Sequence, residues 1–281
     1  MPEIAWINGE FLPLERAMVH VEDRGFQFAD AVYEVVRTYN GKPFALAEHM
    51  ARLFRSLAAI QLNPGLTVDK LEPVIHEAIE RAAFPECLVY LQITRGPAPR
   101  HRGFPAIPKP TVVLTVRALK SSAHLRETGV SVITVPDIRW SRCDIKSVGL
   151  LANVLAYQAA KDAGAYDAIF VTDDGIVTEA TAANIFIVSK GVLVTPPKSP
   201  SLLPGVTRDR ILQAGAAAGI AGREEAILKA DLYAADEVFL TSTTAEVVPV
   251  LAVDGQKIGA GRPGPVAGRV GEKFLELFTR L

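Results

Sequence analysis

The chain has 281 residues, of which 49% are hydrophobic and 22% are charged, as is typical of a folded globular protein. Its formal net charge of −1 provides neither a basic surface for nucleic acid nor an acidic tail. The N-terminal segment has an acid at Glu3, and no stretch approaches the ~18 apolar residues that span a bilayer. We therefore expect neither nucleic acid nor a membrane as a partner.

The cysteines and histidines argue against a metal site. Cys87 and Cys143 are the only cysteines, and neither they nor the five histidines have the spacing of metal ligands. This cysteine usage favours a reducing cytoplasm. The chain also lacks the GxSxG, HExxH and GxxxxGKS motifs, so nothing in it supports serine-hydrolase, zinc-protease or P-loop chemistry.

The first part of the chain mixes strand and helix patterns. Two β-rich runs flank Asn40-Gly41, a strong signal for a hairpin. Apolar residues at intervals of three and four then predict helices over 46–62 and 68–83. Two strands follow over 87–96 and 110–119, joined by a loop. We therefore predict a smaller α+β domain over residues 1–119.

The second part begins after the polar stretch 119–129. The patterns predict, in chain order, a strand at 130–136, a helix ending near 163, a meander of short strands over 166–196, a helix at 205–219, a strand running into a loop at 236–244, a hairpin at 246–258 and a final helix at 266–281. We therefore predict a larger domain over residues 120–281, also α+β.

Lys146 stands directly after Ile145 and just before the helix that ends near residue 163. Since lysine is almost never fully buried unless it is paired, a solvated turn is the simpler interpretation. An amine becomes nucleophilic at neutral pH only when its pKa falls, through desolvation or a nearby cation. Arg139 and Arg142 are close in sequence and could supply that cation. Local sequence leaves both interpretations open.

Several other segments hold groups that suit one cofactor. Glu179 is either an exposed acid at a strand end or the carboxylate that holds a proton on a pyridine nitrogen. Pro204-Gly205 and Thr207 open a helix whose N–H groups can bind a phosphate, and a hydroxyl cluster follows a strand at 241–246. Arg52 is either a phosphate ligand or a surface arginine. Together these groups favour pyridoxal 5'-phosphate (PLP).

Five stretches carry a resemblance that covers nearly the whole chain. They are residues 21–56, 137–169 ("DIRWSRCDIKSVGLLANVLAYQAAKDAGAYDAI"), 177–186 ("VTEATAANIF"), 202–212 ("LLPGVTRDRIL") and 236–250 ("DEVFLTSTTAEVVPV"). In them the chain resembles the fold-type IV PLP-dependent enzymes, and within these the bacterial D-amino acid aminotransferases. The resemblance implies a two-domain α+β architecture with the active site in the interdomain cleft and the PLP lysine in the C-terminal domain.

The resemblance also implies roles for individual residues. Lys146 would bind the cofactor covalently and move the proton at the substrate Cα, and Glu179 would be the partner of the pyridine nitrogen. The other cofactor-binding residues would be Arg52, Val206 (through its N–H), Thr207 and Thr243 at the phosphate, Leu203 at the ring and Arg139 at the phenolic oxygen. Tyr33 and Arg100 would bind the substrate carboxylate, and in this family the Arg100 loop crosses a homodimer interface.

Two departures from the family pattern bear on specificity. Arg102 stands where the D-amino acid enzymes typically have histidine, and a second guanidinium can strengthen the binding of a carboxylate. Ala182 and Ala183 follow Glu179 where the family often has serines, so the hydrogen bonds around the cofactor are expected to differ.

The expected protein is a cytoplasmic, homodimeric aminotransferase that moves an amino group from a D-amino acid to a 2-oxo acid by a ping-pong mechanism. Three activities of the same fold are the alternatives: a branched-chain L-amino acid aminotransferase, an R-selective amine transaminase and aminodeoxychorismate lyase. The Arg100 loop argues for a substrate with a carboxylate and against a simple amine. A PLP-binding protein without catalytic activity is the remaining alternative.

Overall fold

The computed structural model describes residues 3–279, which form two compact units. The first unit extends through Lys120 and also includes Ile145–Gly149. The second comprises Ser121–Asp144 and continues from Leu150. Within residues 3–279, no helix combines the length and the apolar character needed to cross a membrane.

The first unit contains one antiparallel sheet and three α-helices. Its elements are β1 (Ile4–Ile7), β2 (Glu10–Pro13), a 3-10 turn (Leu14–Arg16), α1 (Arg24–Phe28), β3 (Ala31–Tyr39), β4 (Lys42–Pro43), α2 (Leu46–Ala59), α3 (Val68–Ala82), β5 (Cys87–Thr94) and β6 (Thr111–Ala118). The strand order is β2-β1-β6-β5-β3-β4. The predicted hairpin at Asn40-Gly41 and both predicted long helices are confirmed, whereas the β1–β2 hairpin and α1 were not predicted.

The core of the first unit lies between the sheet and the two long helices. Met50, Leu53 and Leu57 recur at intervals of three and four along α2, so one face of the helix is apolar and is buried against the strands. Ile145 is buried in the same core, and Ser147 forms a β-bridge with Val32 of β3. Residues 145–149 therefore pack with the first unit, although they follow the predicted domain boundary at residue 120.

The second unit is built around a mixed ten-stranded sheet. Its elements are α4 (Ala123–Thr128), β7 (Val130–Pro136), α5 (Leu151–Asp162), β8 (Asp167–Val171), β9 (Ile176–Ala180), β10 (Asn184–Ser189), β11 (Val192–Thr195), α6 (Val206–Ala217), β12 (Gly222–Glu224), β13 (Ile227–Leu228), α7 (Lys229–Ala234), β14 (Glu237–Ser242), β15 (Glu246–Val253), β16 (Gln256–Lys257) and α8 (Pro265–Thr279). The order is β12-β11-β10-β14-β15-β7-β8-β9-β13, with β16 beside β15.

The second unit contains the predicted strands and helices in the predicted order, and adds β12, β13 and α7, which were not predicted. The meander over 166–196 is β8 to β11, and its turn glycines Gly175 and Gly191 adopt positive φ angles of 79° and 76°. Every residue of β8 is buried, as expected for a strand covered on both faces. The polar stretch 119–129 contains α4, whose six residues are too few to show a helical period. The last predicted helix is α8, and its final two residues lie outside the described range.

Candidate active site

Lys146 lies in the extended segment that runs beside β3, ahead of α5. Its carbonyl accepts a hydrogen bond from the N–H of Tyr33 at 3.0 Å, and its own N–H donates to Ser56 Oγ at 3.3 Å. The half-buried side chain brings Nζ to 4.2 Å from the centroid of the Tyr33 ring. The backbone of Lys146 is thus fixed by groups other than its own amine.

A buried polar cluster surrounds Glu34, the neighbour of Tyr33 on β3. Arg52 Nε and Nη2 donate to its two carboxylate oxygens at 2.7 and 2.8 Å, and His49 Nδ1 lies 2.8 Å from Oε2. Burial raises the pKa of Glu34, but the hydrogen bonds from Arg52 and His49 outweigh it and lower the pKa to about 2. Burial, together with the Arg52 and Lys146 charges, lowers the pKa of His49.

Glu34 and His49 were not predicted from the sequence. Arg52 was predicted as a phosphate ligand or a surface arginine, and it is buried, so the surface alternative is wrong. Two signals point to them. Glu34 interrupts the apolar run at residues 31–36 of β3, where a charge must find a partner. His49 and Arg52 stand three residues apart on the apolar face of α2, among Met50 and Leu53. An acidic residue on a buried strand and two basic residues on the buried face of a helix indicate that these side chains pair with one another.

In the second unit, Glu179 near the end of β9 receives donors from three separate segments. Arg139 Nη1 donates to Oε1, Asn184 Nδ2 donates to Oε2 at 3.2 Å, and the N–H of Leu203 donates at 3.1 Å. The side chain is only 9% exposed. A buried carboxylate with a guanidinium and two amide donors is held in its charged form and in one orientation.

Arg139 is itself fixed by Asp137, which sequence reasoning missed. Arg139 Nε and Nη2 donate to the two Asp137 oxygens at 2.9 and 2.8 Å, and Nη2 also donates to the carbonyl of Ser201 at 3.0 Å. Its guanidinium lies over the Phe170 ring at 4.3 Å. Burial raises the pKa of Asp137, but the bonds from Arg139 hold it below its usual value. Asp137 therefore orients the arginine that contacts Glu179.

The first turn of α6 has the features of an anion site. The helix begins at Val206, and no described side chain caps its N-terminus at Gly205. A Cβ on Gly205 would collide with Oδ1 of Asn184, so only glycine fits there. Thr207 is buried in the same turn, where N–H groups and the positive end of the helix dipole favour an anion.

The hydroxyl cluster after β14 lies at the same end of the sheet. Asn184 pairs with Thr241 across β10 and β14, and Asn184 Nδ2 donates to the Leu203 carbonyl at 2.8 Å. Thr243 follows two residues after Thr241 and is half-buried. The loop before α6 and the end of β14 are therefore both anchored near Asn184.

Each of these groups suits one functional group of PLP. Lys146 supplies an amine in the first unit, which suits the aldehyde carbon. Glu179 supplies a fixed carboxylate in the second unit, which suits the ring nitrogen. Gly205 and Thr207 form the anion site that suits the phosphate.

Arg100 and Arg102 lie on the loop between β5 and β6. Both side chains are exposed, and the Arg100 guanidinium lies 4.7 Å from the centroid of the Phe28 ring. Among residues 3–279, neither guanidinium pairs with a carboxylate. Tyr33, the third predicted substrate residue, stacks on Tyr90 with ring centroids 5.4 Å apart. The loop therefore presents two guanidinium groups that suit an external carboxylate.

Comparison with known proteins covers both units. The sequence profile described as amino-transferase class IV matches residues 31–253. The D-alanine aminotransferase of Bacillus licheniformis is 42% identical over 263 residues, 94% of this chain and 93% of that protein. The solved branched-chain amino acid aminotransferase of Escherichia coli has a TM-score of 0.93 at 30% identity, covering 99% of this chain and 95% of that one.

A further solved structure includes a cofactor form. The branched-chain amino acid aminotransferase of T.th. with pyridoxamine 5'-phosphate has a TM-score of 0.91 at 28% identity, and covers 98% of this chain and 94% of that one. The similarity in fold therefore extends over almost the entire chain.

Proposed function

This chain belongs to the aminotransferase class IV family, and we propose that it transfers the amino group of a D-amino acid to a 2-oxo acid with PLP as its cofactor. Near-full-length identity of 42% to a D-alanine aminotransferase carries this proposal. The structural relatives named as branched-chain enzymes share the fold at 28–30% identity, which supports the L-amino acid alternative less well.

Bound PLP supplies an electron sink that stabilises the charge left on the substrate Cα when its proton departs. Lys146 Nζ binds the cofactor and moves that proton. Glu179 holds a proton on the ring nitrogen, and its charge stays beside that atom because Arg139 and Asn184 fix the carboxylate. The chain thereby provides a base that moves the Cα proton, Lys146, and a fixed carboxylate for the ring nitrogen, Glu179.

The remaining residues bind and orient. The N–H of Val206 and the hydroxyls of Thr207 and Thr243 would hold the phosphate, with Arg52, which is fixed by Glu34, as a cationic ligand. Leu203 would contact the ring, and Arg139 would serve the phenolic oxygen as well as orient Glu179.

Tyr33, Arg100 and Arg102 bind the substrate carboxylate. Handedness follows from where that carboxylate is held, because the Cα proton leaves from the face that presents Lys146. A carboxylate bound to the Arg100 loop would direct the Cα–H of a D-amino acid toward the amine. D over L preference is therefore the expected specificity.

We further infer that the protein is a cytoplasmic homodimer. Cys87 and Cys143 are both free thiols, which suits a reducing compartment. An exposed apolar face on α5, which includes Leu151, Val154 and Leu155, suits a second copy of the chain.

A paired-enantiomer assay tests the proposed function. Purified wild-type protein with PLP is assayed with D- and L-alanine and D- and L-glutamate, and with Lys146→Ala and the exposed control Lys70→Ala. Wild type and Lys70→Ala should prefer the D-enantiomers. Lys146→Ala should lose turnover, since it lacks the amine that binds the cofactor and moves the proton, yet should fold because its backbone is held by Tyr33 and Ser56.

Other outcomes discriminate the alternatives. A preference for L-enantiomers would replace the proposal with the branched-chain activity. Repeated turnover of aminodeoxychorismate to pyruvate without an amino acceptor would indicate a lyase. Near-normal turnover by Lys146→Ala would refute the role of Lys146 in binding the cofactor and moving the Cα proton.

A further inference from the structure

The loop that carries Arg100 and Arg102 is hydrogen-bonded to one buried arginine of α1. Arg24 is 3% exposed. Its Nη1 donates to the carbonyls of His101 and Gly103, the latter at 3.2 Å, and its Nη2 donates to the carbonyl of Arg102 at 3.3 Å. One guanidinium thus binds three consecutive carbonyls of the loop.

Asp30 links Arg24 to a second buried arginine. Arg24 Nε donates to Asp30 Oδ2 at 2.8 Å, and Arg95 donates to both Asp30 oxygens at 2.8 and 2.9 Å. The Arg95 guanidinium also lies 3.7 Å from the centroid of the Phe104 ring. Burial raises the pKa of Asp30, but the bonds from Arg95 and Arg24 hold it below its usual value, so this centre stays charged.

The helix that presents Arg24 is anchored to the sheet. The Asp23 side chain accepts from the N–H of Gly25 at 2.8 Å and from the hydroxyls of Thr94 and Thr111 at 2.9 and 2.6 Å. Thr94 ends β5 and Thr111 begins β6, the two strands that the loop connects. The support for the loop is therefore tied to the same strands from which the loop emerges.

We propose that Arg24 is a positioning residue for the substrate, which holds the 101–103 backbone so that Arg100 and Arg102 meet the substrate carboxylate. This inference rests on the carboxylate-binding role proposed above for those two arginines. Neither Arg100 nor Arg102 can take over this role. Arg24 binds three backbone carbonyls at once, and this requires a buried guanidinium whose donors point in several directions in one plane. Without it these carbonyls would turn to water, and the guanidinium groups would no longer be held in one place for binding.

The test compares Arg24→Gln and Arg24→Lys with wild type, each loaded with PLP. Arg37→Gln is the matched control, because Arg37 is also buried in the first unit but pairs with Glu86 at 2.8 Å. The first readout is the rate of tryptic cleavage after Arg100 and Arg102, identified by mass spectrometry. The second is the separate measurement of KM and kcat for D-alanine.

We expect Arg24→Gln to raise both the cleavage rate in the loop and the KM for D-alanine by about tenfold or more, with a smaller change in kcat, since a displaced charge-assisted contact weakens binding by that order. Arg24→Lys keeps the positive charge but lacks the planar guanidinium, so both readouts should change by an intermediate amount. This variant also provides the test if Arg24→Gln does not fold. Arg37→Gln should change neither readout.

Unchanged loop cleavage in both Arg24 variants would overturn the proposal. So would faster cleavage with an unaltered KM, because Arg24 would then order the loop without affecting substrate. The function proposed above fails on a different result, namely the absence of D-amino acid turnover in wild type. The cleavage measurement would still decide whether Arg24 holds the loop.

Discussion

Glu179 accepts hydrogen bonds from the segment after β7, from β10 and from the loop before α6. Donors from three directions leave the carboxylate little freedom to rotate. The neighbouring Arg139 cation favours its charged form, and Asp137 keeps that cation from moving away. The arrangement stabilises a negative charge at one point, as holding a proton on a ring nitrogen requires.

Replacement of Glu179 by glutamine tests this interpretation. The amide keeps the shape and most contacts, so PLP should still bind, but it has no charge to stabilise the ring-nitrogen proton. We expect kcat for D-alanine to fall by more than ~10²-fold, the lower range for loss of one proton-transfer group. Glu225→Gln, at an exposed position of the same unit, is the control. An unchanged kcat with Glu179→Gln would show that this acid is only structural.

At the residue scale, the resemblance identified the groups proposed to touch the cofactor but not the groups that hold them. Lys146 and Glu179 stand in recognisable stretches of sequence. Asp137 and Asn184 are ordinary polar residues in sequence, and their roles appear only when the fold brings the end of β7 beside Arg139 and β10 beside Glu179. Glu34 was the exception, because a charge within the apolar run 31–36 could have been noticed.

At the scale of elements, β3 and α2 form a pair with two functions. Alternation along β3 directs Tyr33 and Glu34 to opposite faces of the sheet. Tyr33 contacts the Lys146 amine, whereas Glu34 binds His49 and Arg52 of α2. The helix that completes the core of the first unit is therefore also held to the sheet by a buried ion cluster.

This cluster predicts an acid-dependent stability. Because the folded-state pKa of Glu34 is lowered from 4.5 to about 2, its contribution is fully present above pH 4.5 and is lost as pH falls toward 2. Glu34→Gln should lower the free energy of unfolding at pH 7 by roughly 3 kcal/mol, and the difference from wild type should narrow below pH 4.5. Urea unfolding between pH 7 and 3, with exposed Glu80→Gln as control, measures this. A difference that stays constant down to pH 3 would contradict it.

The elements that the sequence predicted are those with a long period or a marked turn. The helices α2 and α3, the Asn40-Gly41 hairpin and the meander β8 to β11 are all of this kind. The strands β1 and β2 have four residues each, too few for alternation to stand out. Their turn is Asn8-Gly9, the same signal as at Asn40-Gly41, so this hairpin could have been predicted.

At the scale of the whole molecule, α5 differs from an ordinary surface helix because its small residues are buried and its large apolar residues face the solvent. It buries the small residues Ala156 and Ala160 against Ala168 and Phe170. The opposite face exposes Leu151, Val154 and Leu155, with exposed fractions of 71%, 59% and 57%. A helix that places its large apolar residues in water has a face that association would cover.

A second copy of the chain is the occupant that we propose for this face, since the family resemblance implies a homodimer. Sedimentation equilibrium of wild type should give twice the mass of one chain, and Leu151→Lys/Leu155→Lys should give a single chain at the same concentration. In a symmetric interface the double variant would bury four lysine charges without partners, and each costs several kcal/mol. Leu228→Lys, at another exposed leucine of the second unit, should remain dimeric.

Activity measured on the same samples extends the test. If the Arg100 loop of one chain completes the site of the other, the dissociated double variant should lose D-alanine turnover while its thermal unfolding shows a folded protein. A double variant that still sediments as a dimer would remove α5 from the interface. One that is monomeric yet fully active would show that each chain binds the substrate carboxylate with its own Arg100 loop.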